Sequence, residues 1–400
     1  MSEVEHPRRL AVMLALLSAL GPYSIDAFFP SLRAMARDFG VSYFQVQQTL
    51  TVFMVPYACM SLVHGSVSDA LGRRRVVLVG ILLYTLASLA CVFAPSFGWM
   101  LLGRFLQGCV AGAGHIVGRA IIRDRFHGVM AQRLMSTVTM IFSLGPALAP
   151  IIGGWVHVWF GWRAVFGTMA LYSLLLLILV WFKLPETHAL EHRVPMHVRS
   201  VVRNTWSVAR SREFFQLTSA SGLCFVALHL YIGSAPAIIF DHWHLKETSF
   251  AALTLPIITG YTIGAFLSGR LAGRFPPDRQ ARVGFSSLLV PTISMLVLQF
   301  TVRDPPIWLQ ELLLLLTATG LQLMFPIVTL RILDLFPEAR GAAASAHSFF
   351  SLILGAVTMG VLAPWLSVSM QRLAVTAFLV NLAGWLMWQV SERYRIRHHG

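Results

Sequence analysis

Apolar runs long enough to enter a lipid bilayer recur along this 400-residue sequence and constrain its fold more than any motif does. Residues 171–182 and 312–325, for example, contain no charged side chain. A membrane-spanning helix needs about 20 predominantly apolar residues. Charged residues make up 12% of the chain, whereas soluble proteins carry about 25%. The sequence therefore excludes a soluble enzyme and a disordered chain, and its continuous apolar runs exclude the alternating pattern of a β-barrel.

Glycine, proline and charged residues divide the chain into twelve predicted helices, which makes it an all-α membrane protein with twelve transmembrane helices. The predicted helices cover residues 10–35, 43–71, 75–94, 97–124, 129–158, 162–183, 213–240, 248–274, 280–301, 307–334, 341–366 and 371–393. The longest connection, a linker over residues 184–212, separates a six-helix bundle in residues 1–183 from a second in residues 213–400. Residues 65–71 resemble residues 269–275 at the same place in the helix order, which predicts two pseudo-symmetric bundles with the substrate site between them.

The basic residues lie mostly in connections on one side of the predicted helices. Connections on the other side hold only Arg33, Arg37, Arg163, Lys246, Arg303 and Arg372. The positive-inside rule therefore places both termini and the linker in the cytoplasm. The net charge of +14 follows from this topology, and we expect no nucleic-acid partner. Arg8 and Arg9 before an apolar run resemble a signal peptide, but the apolar character continues past Asp26, which favours an uncleaved first helix.

Two ionisable residues, Asp26 and Arg104, lie deep inside predicted helices 1 and 4. At about 1.5 Å per residue, both lie roughly 11–13 Å below the outer surface. An ionisable group in the hydrocarbon costs roughly 2.5–3.5 kcal/mol and is therefore a candidate for a functional role. We predict that Asp26 binds and releases a proton and that Arg104 lies next to it. A buried ion pair that only fixes helix packing is the structural alternative.

Arg104 shares one face of helix 4 with small and polar residues. Gly108, Ala111 and His115 follow it at helical spacing, and Gln107 flanks the same face. Such a face is typical of a cavity wall. His115 is a candidate for a second protonatable group, with an ordinary hydrogen-bonded histidine as the alternative. Three tyrosines beside prolines are further candidates for an apolar substrate cavity: Tyr23, Tyr57 and Tyr231.

Charged residues cluster at the inner end of helix 2. A carboxylate there can pair with arginines of neighbouring segments in one transport state and release them in another. We predict a cytoplasmic gate that comprises Gly65, Asp69, Gly72, Arg73, Arg74 and, at the inner end of helix 4, Asp124. A solvated cluster of positive charge at the membrane boundary is the alternative.

Helix 5 is rich in small residues and prolines. Its small residues recur every fourth position with prolines between them, in the set Gly145, Pro146, Ala149, Pro150, Gly153 and Gly154. Small residues let helices approach closely, and prolines bend them. We predict a close-packed pivot here, with ordinary helix packing as the alternative.

No sequence pattern indicates catalysis or a bound metal. The four cysteines lie in apolar stretches without CxxC spacing and are typical of core residues. The GxSxG, HExxH and Walker motifs are missing from the sequence. We therefore expect no enzyme activity, no metal and no cofactor, with the proton as the coupling ion.

Three segments together resemble the major facilitator superfamily. Residues 65–74, GSVSDALGRR, match the signature G-x-L-x-D-R-x-G-R-[RK] with two departures, Val67 and Ala70. Residues 101–108, LLGRFLQG, match the helix 4 signature L-x-x-R-x-x-Q-G. Residues 145–154, GPALAPIIGG, match the antiporter signature G-x-x-x-G-P-x-x-G-G except for alanine at its fifth position.

Three further segments resemble the Bcr/CflA drug-resistance transporters, namely residues 23–32, YSIDAFFPSL, residues 161–166, GWRAVF, and residues 184–187, LPET. Residues 231–236, YIGSAP, in the second half match more loosely. The resemblance implies alternating access driven by a proton gradient in a bacterial-type inner membrane, with Asp26 as the proton carrier and Arg104 as its neighbour. It also implies export of small amphipathic compounds, including drugs, and we expect a monomer in the lipid bilayer. Some related exporters carry a second acid earlier on helix 1, where this chain has Leu17-Ser18-Ala19. This departure favours neutral or weakly charged lipophilic substrates.

The sequence leaves two other functions open. One is export of a specific metabolite, such as a sugar or an amino-acid derivative. The other is a membrane sensor or scaffold that transports nothing.

Overall fold

The computed structural model describes residues 7–126, 128–188, 193, 198–271 and 274–399. Their regular elements are helices, which confirms the predicted all-α class. The chain divides into two compact units, Met1–Val201 and Val202–Gly400. This division falls within residues 184–212, the predicted linker.

The first unit begins with two helices joined by the 3-10 turn Phe29–Ser31. Its helices are α1 (Pro7–Asp26), α2 (Leu32–Phe39), α3 (Tyr43–Ser61), α4 (His64–Leu71), α5 (Arg73–Val92), α6 (Phe97–Ala111), α7 (Ala113–Arg125), α8 (Gly128–Phe160) and α9 (Trp162–Lys183). The next helix, α10 (Val198–Ala209), contains the boundary between the two units. A capping box starts α3, because the Ser42 Oγ accepts from the Gln45 N–H at 3.2 Å and the Gln45 Oε1 accepts from the Ser42 N–H at 2.8 Å. Aliphatic side chains of α1, α5, α7 and α9 form the core of this unit.

The second unit contains α11 (Arg212–Gly233), α12 (Ala235–Ala237), α13 (Ala251–Leu271), α14 (Pro277–Thr301), α15 (Ile307–Asp334), α16 (Arg340–Val357), α17 (Ala363–Leu366) and α18 (Met370–His399). Two π-helical turns, Ile238–His242 and Thr358–Leu362, interrupt the ends of the predicted seventh and eleventh helices.

Ten helical segments of the described chain are long and apolar enough to cross a bilayer, and α3 with α4 forms an eleventh that bends by 54°. Helix α8 has 33 residues, about 50 Å at 1.5 Å per residue. It includes the apolar stretch Leu148–Phe160. When α8 is included, the described segments agree with the twelve predicted helices.

The same helix pairings recur in both units. In the first unit α3 packs on α6, α5 packs on α6 and α9, and α1 packs on α8. In the second unit α13 and α14 pack on α15, α14 packs on α18, and α11 packs on α16. These pairs correspond when the spans of each unit are numbered from one to six. The pairings therefore support the internal repeat predicted from residues 65–71 and 269–275.

Large apolar side chains are exposed on the outer surfaces of the helices. Phe93 and Phe182 are each 76% exposed, and Trp365 is 70% exposed. Arg104 and Gln107, in contrast, are completely buried. Extended apolar surfaces of this kind are stable against acyl chains and not against water.

Three predicted helices of the first unit are also not continuous. Helix 1 breaks after Asp26, helix 2 bends after Ser61, and helix 4 is interrupted at Gly112. The linker also contains α10, which is not among the predicted helices because its 12 residues are too few to span a bilayer.

Candidate functional site

Asp26 lies where the first membrane span is broken. Helix α1 ends at this residue. Pro30 has no backbone N–H and therefore cannot donate to the Asp26 carbonyl four residues earlier. The chain passes through a 3-10 turn before α2 begins. The Asp26 carboxyl group thus lies where the α-helix of the span Arg9–Phe39 is interrupted.

The Asp26 side chain is buried and makes no ion pair or hydrogen bond with any described residue. Only 6% of the residue is exposed, and no other acidic residue of the described chain is buried to this extent. At such a depth the ionised form is costly unless water, a substrate or a conformational change supplies a partner. The position is therefore suited to a group that changes its protonation state with its surroundings.

Arg104 is completely buried, and its side chain donates to neutral oxygens. Its Nε donates to the Thr49 carbonyl at 3.3 Å. Its Nη1 donates to the Gln107 Oε1 at 2.9 Å, and its Nη2 donates to the Ser24 carbonyl at 3.1 Å. Two aromatic ring centroids lie 4.5 and 4.3 Å from its Cζ atom. The guanidinium is held in place by helices α1, α3 and α6.

The predicted pairing of Asp26 with Arg104 is absent from the described structure. The Arg104 Cζ lies over the rings of Phe28 and Phe53, and the N–H groups of its side chain donate to carbonyl and amide oxygens. Arg104 thus reaches the backbone of α1 and not the carboxyl group. Equal depth in the membrane could not reveal this, because residues two positions apart on a helix point to different sides.

A buried polar network extends from Arg104 through helices α1, α5 and α6. The Gln107 Nε2 donates to the Ser88 Oγ at 2.7 Å. The Ser24 and Tyr84 hydroxyl groups form a hydrogen bond. Gln107, predicted to line a cavity, is therefore fully engaged inside the bundle. Sequence reasoning missed Ser24, Tyr84 and Ser88, since isolated hydroxyl groups in apolar helices form no recognisable pattern.

Helix α8 approaches α1 closely next to Asp26. A Cβ atom at Gly153 would overlap the carbonyl of Ala27, and one at Gly145 would lie 3.2 Å from the Pro22 Cβ. The remaining members of the predicted pivot, Pro146, Ala149, Pro150 and Gly154, lie in the same continuous helix. Close packing of helix 5 is therefore present at both glycines, while pivoting stays a prediction.

The tyrosine candidates in the first unit are packed against other residues. The Tyr23 hydroxyl is 2.8 Å from the Thr168 Oγ1. Tyr57 is 7% exposed and fits between Gly21 and Gly112, where an added Cβ would lie 3.1 Å from its side chain in each case. Glycine at these two positions makes room for the Tyr57 ring.

The other two cavity candidates lie in different parts of the chain. His115 is half-buried in α7, beyond the interruption at Gly112. Tyr231, in the second unit, lines a cavity of about 10 Å³ together with Thr292 and Asn381, which is room for one water molecule. Their roles in proton or substrate binding stay predictions.

Arg73 is the centre of the predicted gate cluster. Its Nη1 pairs with Asp69 at 2.5 Å, and its Nε pairs with Asp124 at 3.0 Å. Its backbone N–H donates to the Glu186 Oε1 at 2.9 Å. The three acidic residues come from α4, α7 and the segment after α9. One arginine therefore connects three elements of the first unit.

Glu186 is a member of this cluster that was not predicted, although it lies in the quoted segment 184–187. Gly72 lets it approach, because an added Cβ would lie 2.5 Å from the Glu186 Oε2. The φ angle of Gly72 is +97°, which also favours glycine.

Two predicted gate members have other surroundings. Arg74 donates to the Trp181 carbonyl at 2.8 Å and lies over the Trp181 ring, so it contacts no carboxylate of the described chain. Its side chain lies against α9, and its membership of the gate stays a prediction. Gly65 has open space around its Cα, so no close contact requires glycine there.

The second unit contains a comparable charge cluster that sequence reasoning missed. Arg331, near the end of α15, pairs with Asp278 of α14 and Glu392 of α18. Arg395 pairs with the same two acids. The Arg331 Cζ lies 4.4 Å from the ring centroid of Trp388. The spacing of Glu392 and Arg395 by three residues is a usable signal, but it does not reveal Arg331 or Asp278.

Comparison with known proteins identifies the family. The family model described as Major Facilitator Superfamily matches residues 13–360. The chain belongs to the major facilitator superfamily. This result confirms the resemblance carried by the motifs of residues 65–74, 101–108 and 145–154.

Relatives in the same superfamily agree with the finer resemblance. The chain is 30% identical over 273 residues to a bicyclomycin resistance protein homolog of Haemophilus influenzae, with 68% of this chain and 69% of the relative covered. It is 28% identical over 263 residues to the multidrug transporter MdfA of Edwardsiella ictaluri, with 65% and 63% covered. Among solved structures, an inward-facing bacterial homolog of the human lysosomal transporter Spinster has a TM-score of 0.75 at 15% identity, with 99% of each chain covered. That structure supports the fold alone.

Proposed function

We propose that this protein is a proton-coupled antiporter that exports small amphipathic compounds, drugs among them, by alternating access. The single observation that carries the proposal is the buried carboxyl of Asp26, which lies at a break in a membrane span and has no basic partner among the described residues. Membership of the major facilitator superfamily and similarity to proteins named for bicyclomycin resistance and multidrug transport support it.

Asp26 links proton binding to the conformation, because burying its ionised carboxylate in the membrane costs free energy. When the carboxylate is ionised, it favours a state in which water or substrate reaches it. When it is protonated, the neutral group tolerates a closed apolar environment. A ligand or proton shifts a conformational equilibrium only by its differential free energy in the two states. In this scheme Arg104 orients α1 through the Ser24 carbonyl and transfers no proton.

The remaining parts of the proposal concern the setting of the transporter. It acts as a monomer in a bacterial-type inner membrane, with both termini in the cytoplasm. It needs no cofactor and catalyses no chemical conversion, since the proton is the coupling ion and the substrate leaves unchanged. The basic residues of the connections support this orientation.

Transport by purified protein in proteoliposomes with an imposed pH gradient tests the proposal. We expect accumulation of a fluorescent amphipathic amine or of a neutral antibiotic by the wild type. Asp26→Asn should fold and reconstitute but lose gradient-driven transport. The matched control is Asp304→Asn, which removes an exposed acid. Full gradient-driven transport by Asp26→Asn would refute the assignment.

The same preparation separates the two other functions. A panel that includes sugars and amino-acid derivatives distinguishes a drug exporter from a metabolite exporter by which compound is moved. Proton release from the detergent-solubilised protein on addition of substrate distinguishes a transporter from a sensor or scaffold. Absence of both transport and proton release for the whole panel would favour the sensor or scaffold.

A further inference from the structure

Helix α10 lies at the boundary of the membrane. Only Arg210 and Ser211 separate its last residue from α11, which begins at Arg212 and spans the bilayer. The Ser211 Oγ accepts from the Phe214 N–H at 3.4 Å and caps α11. Two residues extend over at most about 7 Å. The end of α10 is therefore held close to the lipid headgroups.

The apolar residues of α10 form one face, and part of this face is uncovered. Val202 and Trp206, four positions apart and so on the same side, are each 60% exposed. Val208, at the far edge of the apolar face, is 1% exposed. The helix thus packs on the protein along one edge and leaves a ridge of valine and tryptophan outside.

A row of arginines lies next to this ridge. At about 100° per residue, Arg199, Arg203 and Arg210 fall within a narrow sector beside Trp206. All three are exposed, and none pairs with a carboxylate of the described residues. The Arg210 Cζ lies 5.5 Å from the Trp206 ring centroid. The sequence from residue 192 to residue 212 contains no acidic residue.

We propose that α10 is an interfacial helix that binds anionic phospholipids of the adjacent leaflet. The ridge of Val202 and Trp206 enters the boundary between headgroups and acyl chains. Arg199, Arg203 and Arg210 bind the phosphate groups above it. The charged residues next to the exposed apolar ridge are all cations, which favours binding to an anionic bilayer surface. The short connection to α11 holds the helix at that surface. The proposal does not depend on which compound the transporter moves.

Hydrogen exchange of the full chain in nanodiscs tests this proposal. Backbone amides of residues 198–209 are compared in phosphatidylcholine alone and in phosphatidylcholine mixed with phosphatidylglycerol. We expect slower exchange in the anionic discs, with an effect of about five-fold for each arginine that contacts the surface. High salt should reduce the difference, because it screens the headgroup charge.

Two variants and a control define the outcome. Arg199→Gln, Arg203→Gln and Arg210→Gln together should abolish the dependence on phosphatidylglycerol. Val202→Ser with Trp206→Ser should speed exchange in both lipids. A control with Arg37→Gln, Arg303→Gln and Arg372→Gln removes the same charge at other exposed positions and should behave as the wild type. Equal exchange in both lipids, or a triple arginine variant indistinguishable from the wild type, would overturn the proposal. Protection that is independent of lipid charge would indicate packing of α10 against protein and would overturn it equally.

Discussion

The guanidinium of Arg104 donates a hydrogen bond to the backbone carbonyl of Ser24, two residues before Asp26 in α1. The base therefore holds the helix that carries the acid without touching the acid. Because the acceptor is a backbone carbonyl, this hydrogen bond does not depend on the protonation state of Asp26. Arg104 can keep α1 in position throughout a transport cycle, while a salt bridge would break each time the proton binds.

Replacement of Arg104 by lysine tests whether the positive charge alone is required or also the geometry of the guanidinium group. Lysine keeps the positive charge, but its compact ammonium cannot donate hydrogen bonds in the three fixed directions that the guanidinium uses. We expect Arg104→Lys to lower the free energy of unfolding by about 2–4 kcal/mol, because buried carbonyls lose their donors. Thermal unfolding in detergent and proteoliposome transport measure the result, with the exposed Arg163→Lys as control. Wild-type stability and transport in Arg104→Lys would show that charge alone is required.

Gly153→Ala should disturb the contact between α8 and α1. The new methyl group would overlap the Ala27 carbonyl, and backbone cannot move aside as a flexible side chain can. Overpacking costs typically 1–3 kcal/mol, and we expect about 3 kcal/mol here. Gly167→Ala in α9 is the control, because no atom lies within 4 Å of its added Cβ. Equal melting temperatures for the two variants would contradict the close approach at Gly153.

Arg73→Gln should weaken the charge cluster of the first unit. The substitution leaves Asp69 and Asp124 without their base, and both acids are partly exposed, with 46% and 24% of their side chains accessible. Solvent limits the loss to about 1–3 kcal/mol. A double-mutant cycle with Asp124→Asn should give a coupling energy above about 0.5 kcal/mol. Arg75→Gln, at an exposed neighbouring position, should change stability little. Additive effects of the Arg73 and Asp124 substitutions would exclude the pairing.

Arg331→Gln should destabilise the second unit. Its removal leaves Glu392, whose side chain is 12% exposed, and Asp278 with Arg395 as their remaining base. We expect a loss of about 1–3 kcal/mol, since the Arg395 side chain is 42% exposed and compensates the two acids only in part. Thermal unfolding compares this variant with Arg279→Gln, an exposed arginine of α14. If both variants unfold at the same temperature as the wild type, the cluster does not contribute to stability.

The residues that could be predicted from the sequence are those whose unusual property is local. Asp26 and Arg104 are charged residues in apolar runs, and Asp69, Arg73 and Asp124 lie at helix ends marked by charge. Membrane depth and helix order follow directly from such positions. The number and positions of the twelve helices were predictable for the same reason, because the length of an apolar segment depends only on consecutive residues.

Contacts between helices could not be predicted in this way. Which atoms Arg104 binds depends on the rotation of α1 and α3 about their axes, and the sequence does not specify that rotation. Glu186 reaches Arg73 across 113 positions of the chain. The break after Asp26 is different, because Pro30 marks it in the sequence and the missing N–H explains it. The interpretation of helix 1 as one rod overlooked this signal.

The two charge clusters use opposite signs at corresponding places. The helix that starts the third span of the first unit contributes an arginine, Arg73, while the equivalent helix of the second unit contributes an acid, Asp278. At the end of the fourth span the signs are reversed: the first unit has an acid, Asp124, and the second unit has a base, Arg331. A chimaera that exchanges only the third spans would set arginine against arginine in one half and carboxylate against carboxylate in the other. The two halves share the same helix pairings, but the charges at corresponding positions prevent an exchange of single spans between them.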